Sequence, residues 1–136
     1  MTTKEYLNQA FRIDQRIESK LEQIESLKTL ATKVSSTLSD MPKSPNNGSR
    51  VDEIVVKIIS LEDQIKSDVD RLVSLKKEIS DVISKVEPVE CRLLLEMRYL
   101  LFQSWEEIAY KLDCTTRNVL FLHKRSLLAA HDVIWH

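Results

Sequence analysis

Apolar residues recur with a seven-residue period in the first third of the chain. The first position of this repeat holds Ala10, Ile17, Ile24, Ala31 and Leu38. The second position, three residues further on, holds Ile13, Lys20, Leu27 and Val34, with Tyr6 upstream. A sustained period of this kind places one apolar stripe along a helix and is typical of a coiled coil.

The same period returns after residue 50 and continues to residue 86. Its first position holds Val51, Ile58, Ile65, Leu72, Ile79 and Val86. Its second position holds Ile54, Leu61, Asp68, Leu75 and Val82. About five heptads in each segment predict two long helices that pair through these stripes.

Residues 40–50 separate the two periodic segments. They contain two of the three prolines and the only glycine, a composition that does not continue a helix. The segment is long enough to turn the chain back on itself. The pattern therefore predicts an antiparallel hairpin over residues 1–87, with helices roughly 50 Å long at 1.5 Å per residue.

Each predicted helix carries one charged residue in its stripe, Lys20 in the first and Asp68 in the second. An antiparallel pairing places these two residues in adjacent layers, facing each other. A buried ion pair adds little net stability, but it disfavours other registers because a shifted helix would leave a charge among apolar residues. The alternative is that the Lys20 side chain reaches solvent and Asp68 lies at a frayed part of the stripe.

Further apolar residues flank the two stripes and widen them. They are Leu7, Leu21, Val55, Val69 and Ile83. Two helices alone would leave much of this surface exposed, so the hairpin is expected to pack on a partner. The C-terminal part of the chain or a second copy could cover it, and we favour a homodimer.

The last third of the chain predicts several shorter helices. Pro88 suits the first turn of a helix, and residues 91–101 have the composition of a short buried helix. Ser104, with Glu107 three residues later, is a capping box that begins the next helix. Thr115 is a good N-cap for a longer helix after a three-residue turn. Two helices joined in this way are a helix-turn-helix.

Composition agrees with an all-α protein. The 136 residues include one glycine and three prolines, too few for the turns of a β-rich chain. The formal net charge is −1, and the residues from Pro88 onward carry six basic and six acidic side chains. Contacts to nucleic-acid phosphates would therefore depend on the local placement of a few cations.

The chain lacks the usual sequence marks of an enzyme or a metal site. Cys91 and Cys114 have no disulfide or zinc-ligand spacing, and no glycine-rich phosphate loop or catalytic motif is present. We expect no enzymatic activity, no cofactor, no metal and no small-molecule substrate. The N-terminus has no apolar signal core and no run reaches the ~18 apolar residues of a membrane span, which predicts a cytoplasmic protein.

Residues 92–128 carry a recognisable pattern. It comprises RLLLEMRY at 92–99, WEEIA at 105–109, Leu112, Thr115, Val119 and KRSL at 124–127. This pattern resembles the fourth conserved region of bacterial sigma-70-type RNA polymerase sigma factors and related phage regulators. The whole chain is also similar to small uncharacterised phage and prophage proteins of Gram-positive bacteria. The resemblance implies transcription regulation by DNA binding, with RNA polymerase or another regulatory protein as a further partner.

The resemblance implies that the start and outer face of the last helix enter the major groove. The corresponding residues are Thr116, Arg117, Asn118, Leu120, Phe121, Lys124 and Arg125. Arg117 could pair with guanine through two hydrogen bonds, while Lys124 and Arg125 are better placed for phosphates. The alternative is that all three are ordinary solvated charges.

Four positions depart from the sigma-factor pattern. Asp113 stands in the turn where glycine is usual, although aspartate tolerates the left-handed conformation. His123 stands at an inward position, where a packed and hydrogen-bonded histidine is expected. Leu120 and Phe121 stand where polar residues are usual. They could contact thymine methyl groups, bind a protein or pack against the hairpin.

These observations predict an all-α protein of two domains. Residues 1–87 form the antiparallel coiled-coil hairpin, and residues 88–136 form the helix-turn-helix domain. The expected function is DNA-binding transcription regulation, with the hairpin used for dimerisation or docking. Two alternatives stay open: a protein-interaction module that no longer binds DNA, and a DNA-packaging or assembly component.

Overall fold

The computed structural model describes residues 1–39 and 45–135, and within them it confirms the all-α class. The helices are α1 (Thr3–Leu7), α2 (Gln9–Ser39), α3 (Pro45–Ile83), α4 (Val89–Leu95), α5 (Trp105–Leu112) and α6 (Thr116–Ile134). A π-helical turn, Glu96–Leu100, follows α4 directly. No strand occurs in these two ranges. No helix in them combines the length and apolar character needed to cross a bilayer.

Helices α2 and α3 form the predicted long antiparallel hairpin. Within residues 14–70, which make one compact unit, Ile17 and Ile24 are buried on α2, and Ile54 and Leu61 are buried on α3. The other stripe residues of this unit whose side chains are described are half-buried, apart from Asp68, which is buried. The heptads therefore identified the contact face of each helix correctly.

The charged residues of the two stripes meet, as the sequence predicts. Nζ of Lys20 lies 2.6 Å from a carboxylate oxygen of Asp68. The Asp68 side chain is 11% exposed and the Lys20 side chain 15%, so this ion pair is largely withdrawn from water. A guanidinium nitrogen of Arg16 lies 3.6 Å from the other Asp68 oxygen and shares the negative charge from a more exposed position.

The second helix begins earlier than the sequence pattern indicated. The predicted linker covered residues 40–50, whereas α3 begins at Pro45 and includes Gly48. Proline is favourable at the first position of a helix because its φ is already helical, and one glycine inside a long helix costs only about 1 kcal/mol. Residues 40–44 of the predicted linker lie outside the described residues, as do the Leu38 side chain and His136.

The second compact unit combines both ends of the chain, Met1–Ile13 and Arg71–His136. Its core contains fully buried residues from the N-terminal segment, the end of α3 and the C-terminal helices. They are Leu7, Ala10, Ile79, Val86, Leu94, Leu95, Ile108, Val119 and Ala130. These units divide the chain at other points than the predicted boundary at residue 88, because the ends of the hairpin helices contribute to the C-terminal core.

The apolar residues that flank the two stripes differ in burial. Leu7 and Ile83 are buried in the unit that contains the C-terminal helices. Leu21, Val55 and Val69 belong to the hairpin unit and are exposed. The C-terminal part of the chain thus covers one portion of the predicted apolar surface and leaves another portion uncovered.

Candidate nucleic-acid interface

The segment that precedes the helix-turn-helix is a helix that ends in a wider turn. The sequence predicts one helix over residues 91–101, whereas α4 begins at Val89 with Pro88 as its N-cap. After Leu95 the hydrogen-bonding pattern widens, and the Leu101 N–H donates to the Glu96 carbonyl at 3.1 Å. Turns of this kind are rare and no local sequence pattern indicated this one.

The loop between the π-helical turn and α5 is held by Arg98. Its Nη1 donates to the Gln103 carbonyl at 2.9 Å, and its guanidinium lies 4.0 Å from the centre of the Trp105 ring. Phe102 adopts a left-handed backbone conformation, with φ of 58°. The Phe102 ring packs against Phe11, with ring centres 5.5 Å apart. Arg98 and Phe102 thus fix the start of the helix-turn-helix, a role that sequence reasoning missed.

Helix α5 begins where the sequence predicts. The Ser104 side chain accepts a hydrogen bond from the Glu107 N–H at 3.1 Å. The other half of the predicted capping box differs, because the Glu107 carboxylate lies 3.3 Å from the Ser104 hydroxyl and accepts from it. The helix ends at Asp113, which is left-handed at φ 53° and ψ 51°. Asp113 therefore adopts the left-handed conformation that aspartate tolerates.

Helix α6 follows after the three-residue turn 113–115. Thr115 is its N-cap and accepts from the Asn118 N–H at 3.1 Å, as predicted. Val119, His123, Ser126 and Ala130 are buried. Their spacings of four and three residues place them on one face of the helix. This face packs inward, which leaves the opposite face of α6 free of the core.

His123 is a packed, hydrogen-bonded residue, as predicted. Its Nε2 lies 2.7 Å from the Tyr99 hydroxyl, and its ring lies edge-on to Trp105 with centres 4.6 Å apart. Burial, together with the positive charges of Lys4 and Arg98, lowers the pKa of His123 from 6.5 to about 4. Burial raises the pKa of Tyr99 to about 12. Both groups are therefore neutral at neutral pH.

This burial predicts a loss of stability in mild acid. The unfolded chain binds a proton at His123 below about pH 6.5, whereas the folded chain binds one only near pH 4. The stabilisation is therefore complete above pH 6.5 and is lost as the pH falls towards 4, by about 2–3 kcal/mol. Denaturant unfolding at pH 7, 6, 5 and 4 measures this loss of unfolding free energy.

Two histidine variants isolate this effect from the titration of carboxylates in the same pH range. His123→Gln removes the titrating ring and should flatten the dependence of the unfolding free energy on pH. His131→Gln changes an exposed histidine of the same helix and should leave the dependence unchanged. Equal slopes in His123→Gln and the unmodified protein would contradict the assignment.

All seven residues of the predicted DNA-contact set lie on the surface. Thr116, Arg117, Asn118, Leu120, Phe121, Lys124 and Arg125 are exposed. We call this set the outer arc of α6. Leu120 is 43% exposed and Phe121 is 54% exposed. Two large apolar side chains therefore stand among the cations, as the sequence indicated.

The outer arc is locally cationic although the chain as a whole is not. Residues 114–131 include no aspartate or glutamate, so Arg117, Lys124 and Arg125 have no acidic neighbour along the helix. Among the residues that the structure describes, none of these three cations forms an ion pair. The Arg117 guanidinium lies 5.7 Å from the centre of the Phe121 ring, close enough for a cation–π contact.

A groove of about 770 Å³ borders this surface. Met1 and Lys4 line one part of it, and Lys124, Leu128 and Trp135 line another. Trp135 is nearly half exposed and contacts Tyr6 edge-on, with ring centres 6.2 Å apart. The sequence pattern did not indicate this groove. Lys124 thus belongs to the outer arc and also lines this groove.

The chain is similar to a known protein family. Residues 33–130 match a family described as proteins of unknown function (DUF1492), and the chain belongs to this family. The match includes α3, α4, α5 and the whole outer arc. Neither the curated proteins nor the solved structures yield a significant match.

Proposed function

We propose that the protein is a DNA-binding transcriptional regulator that reads DNA with the outer arc of α6. The observation that carries the proposal is the division of α6 into two faces. The inner face is packed through Val119 and His123, and the outer arc presents unpaired cations to solvent. Arg117 in the first turn is the residue assigned to base recognition, and Lys124 and Arg125 are assigned to phosphates.

The remaining parts of the proposal follow from the resemblance and from the apolar surface of the hairpin. A sigma-factor-like helix-turn-helix implies a phage or prophage regulator that acts on bacterial DNA in the cytoplasm, with RNA polymerase or another regulatory protein as a further partner. The exposed residues Leu21, Val55 and Val69 support a homodimer formed through the hairpin. A dimer would present two copies of α6 to two half-sites.

A second function has specific support. Leu120 and Phe121 are exposed next to a groove that contains Leu128 and Trp135, and exposed apolar surface of this kind is typical of protein contacts. An adaptor that binds a protein through this face is therefore the alternative. A DNA-packaging or assembly component, which would grip DNA without sequence preference, is the third candidate.

Selection from a random double-stranded DNA library separates the three functions. The full-length protein is expected to enrich one sequence, and to bind that sequence at least about a thousandfold more tightly than a scrambled duplex. Equal, strongly salt-dependent binding to both duplexes would favour the packaging function. Absence of binding to either duplex at low salt would reject DNA recognition and favour the adaptor.

A further inference from the structure

Helix α3 carries a second stripe that does not face α2. Val55, Ile59 and Val69 are 45%, 53% and 40% exposed, whereas Ile54 and Leu61 on the hairpin seam are buried. Glu62 and Lys66 are also exposed. Positions 55, 59, 62, 66 and 69 follow each other at spacings of four and three residues, which places them on one face of the helix. We call these five positions the outer stripe of α3.

The outer stripe is complementary to itself in one orientation. When two copies of α3 pair antiparallel about a two-fold axis at the level of residue 64, Ile59 faces Val69 of the other copy. Glu62 then faces Lys66, and the reciprocal contacts repeat both pairs. The same register sets residue 55 opposite residue 73, which is also a valine and is also exposed. Every apolar position thus meets an apolar position, and every charge meets its opposite.

The two charges distinguish this orientation from the alternative. A parallel pairing would place Glu62 against Glu62 and Lys66 against Lys66, and like charges across an interface are unfavourable. Antiparallel pairing converts both layers into attractive pairs in the middle of the stripe. Charge complementarity therefore points to a second copy of this chain as the occupant, since another helix would need to match the same order of residues.

A residue of α2 extends the stripe at the same level. Leu21 follows Lys20, and Val69 follows Asp68, and the side chains of Lys20 and Asp68 meet at 2.6 Å. In an antiparallel helix pair, the residues that follow two facing positions lie on the same side of the pair. Leu21, which is exposed, therefore lies beside Val69 and adds apolar area to the outer stripe.

We infer that the protein forms an antiparallel homodimer in which the outer stripes of two α3 helices pack together. This inference rests on the proposed dimerisation of the hairpin and names its surface and orientation. It does not depend on DNA binding. The reciprocal pairs Glu62–Lys66 fix the register, in the way that charges beside a coiled-coil seam select a partner and an orientation.

Charge reversal tests the surface. Glu62→Lys places a lysine against Lys66 in both layers, and sedimentation equilibrium should show the dimer dissociation constant rising about tenfold or more. Adding Lys66→Glu restores two attractive pairs and should return the constant close to its original value. Glu53→Lys, at an exposed position of α3 off the stripe, is the control and should leave the constant unchanged.

Disulfide trapping tests the orientation. In a Cys114→Ser background, which removes the exposed native thiol, the double variant Ile59→Cys with Val69→Cys should form a covalent dimer on mild oxidation. Ile59→Cys alone should not, because ten residues separate it from its facing position, about 15 Å along the helix. Efficient cross-linking of the single variant would show parallel pairing and overturn the inference.

Two further outcomes decide the remaining cases. A protein that stays monomeric at all accessible concentrations, or a dimer that Glu62→Lys leaves unchanged, overturns the inference. The result of the DNA selection is independent of the dimer test. A dimer that selects no DNA sequence would reject the proposed regulator while the antiparallel pairing holds, and a monomer that selects one would do the reverse.

Discussion

Replacement of Asp68 by alanine is expected to lower the free energy of unfolding by about 3–5 kcal/mol. In the unmodified protein the Lys20 ammonium lies 2.6 Å from the Asp68 carboxylate, and its side chain is only 15% exposed. The substitution leaves this ammonium between the two hairpin helices without its counter-charge. A charge that has lost both water and its partner is far less favourable than the intact pair. Urea unfolding followed by circular dichroism measures the loss.

Two further variants serve as controls for Asp68→Ala. Lys20→Met combined with Asp68→Leu replaces both charges by apolar side chains, and it should be as stable as the unmodified protein or more stable. Asp63→Ala removes an exposed carboxylate from the same helix and should change stability by less than about 0.5 kcal/mol. A loss in Asp68→Ala no larger than in Asp63→Ala would contradict a buried pair.

Replacement of Leu94 by alanine should lower the unfolding free energy by about 2–5 kcal/mol. Leu94 is fully buried in the unit that contains the C-terminal helices, where a truncated side chain leaves a cavity. The neighbouring residue supplies a matched control in the same helix, because Leu93 is 39% exposed. Leu93→Ala should cost less than about 1 kcal/mol, and denaturant unfolding of both variants measures the difference.

This comparison also tests the placement of α4. The run of three leucines at residues 93–95 gives no sequence indication of which ones are buried. The helix places Leu94 and Leu95 in the core and turns Leu93 towards solvent. Losses of equal size in the two variants would show that α4 is oriented differently about its axis.

The hairpin could be predicted from the sequence because its signals repeat. About five heptads in each segment mark the same apolar face of each helix. The charged residues Lys20 and Asp68 fit only registers that bring them together. The start of α3 could not be predicted as well, since Pro45 reads equally as a helix breaker and as a first helical residue. Local composition alone does not choose between those two meanings.

The division into compact units depends on contacts between distant parts of the chain. Ala10 and Ile79 belong to heptads that look the same as those around Ile24 and Ile54. Both are fully buried in the unit that contains the C-terminal helices. Periodicity shows which face of a helix is apolar, but it does not show which element covers that face.

The sequence predicted the helix caps of the candidate site but not the residues that hold the loop before α5. Ser104, Thr115 and Asp113 act locally, so their residue types were enough to place both ends of α5 and the start of α6. Arg98 and Phe102 act through a π-helical turn and a left-handed residue that no short pattern encodes. The sequence left open whether Leu120 and Phe121 pack against the hairpin, because residue spacing does not show what covers the outer face of a helix.

The most direct test of DNA reading by α6 is the affinity of two arginine variants for the selected and the scrambled duplex. Arg117→Ala should weaken binding to the selected sequence by about 1–3 kcal/mol and change binding to the scrambled duplex much less. Arg125→Ala, in the same helix, should weaken binding to both duplexes alike and reduce the salt dependence. Unchanged affinity of Arg117→Ala for the selected sequence would contradict a reading role for the outer arc.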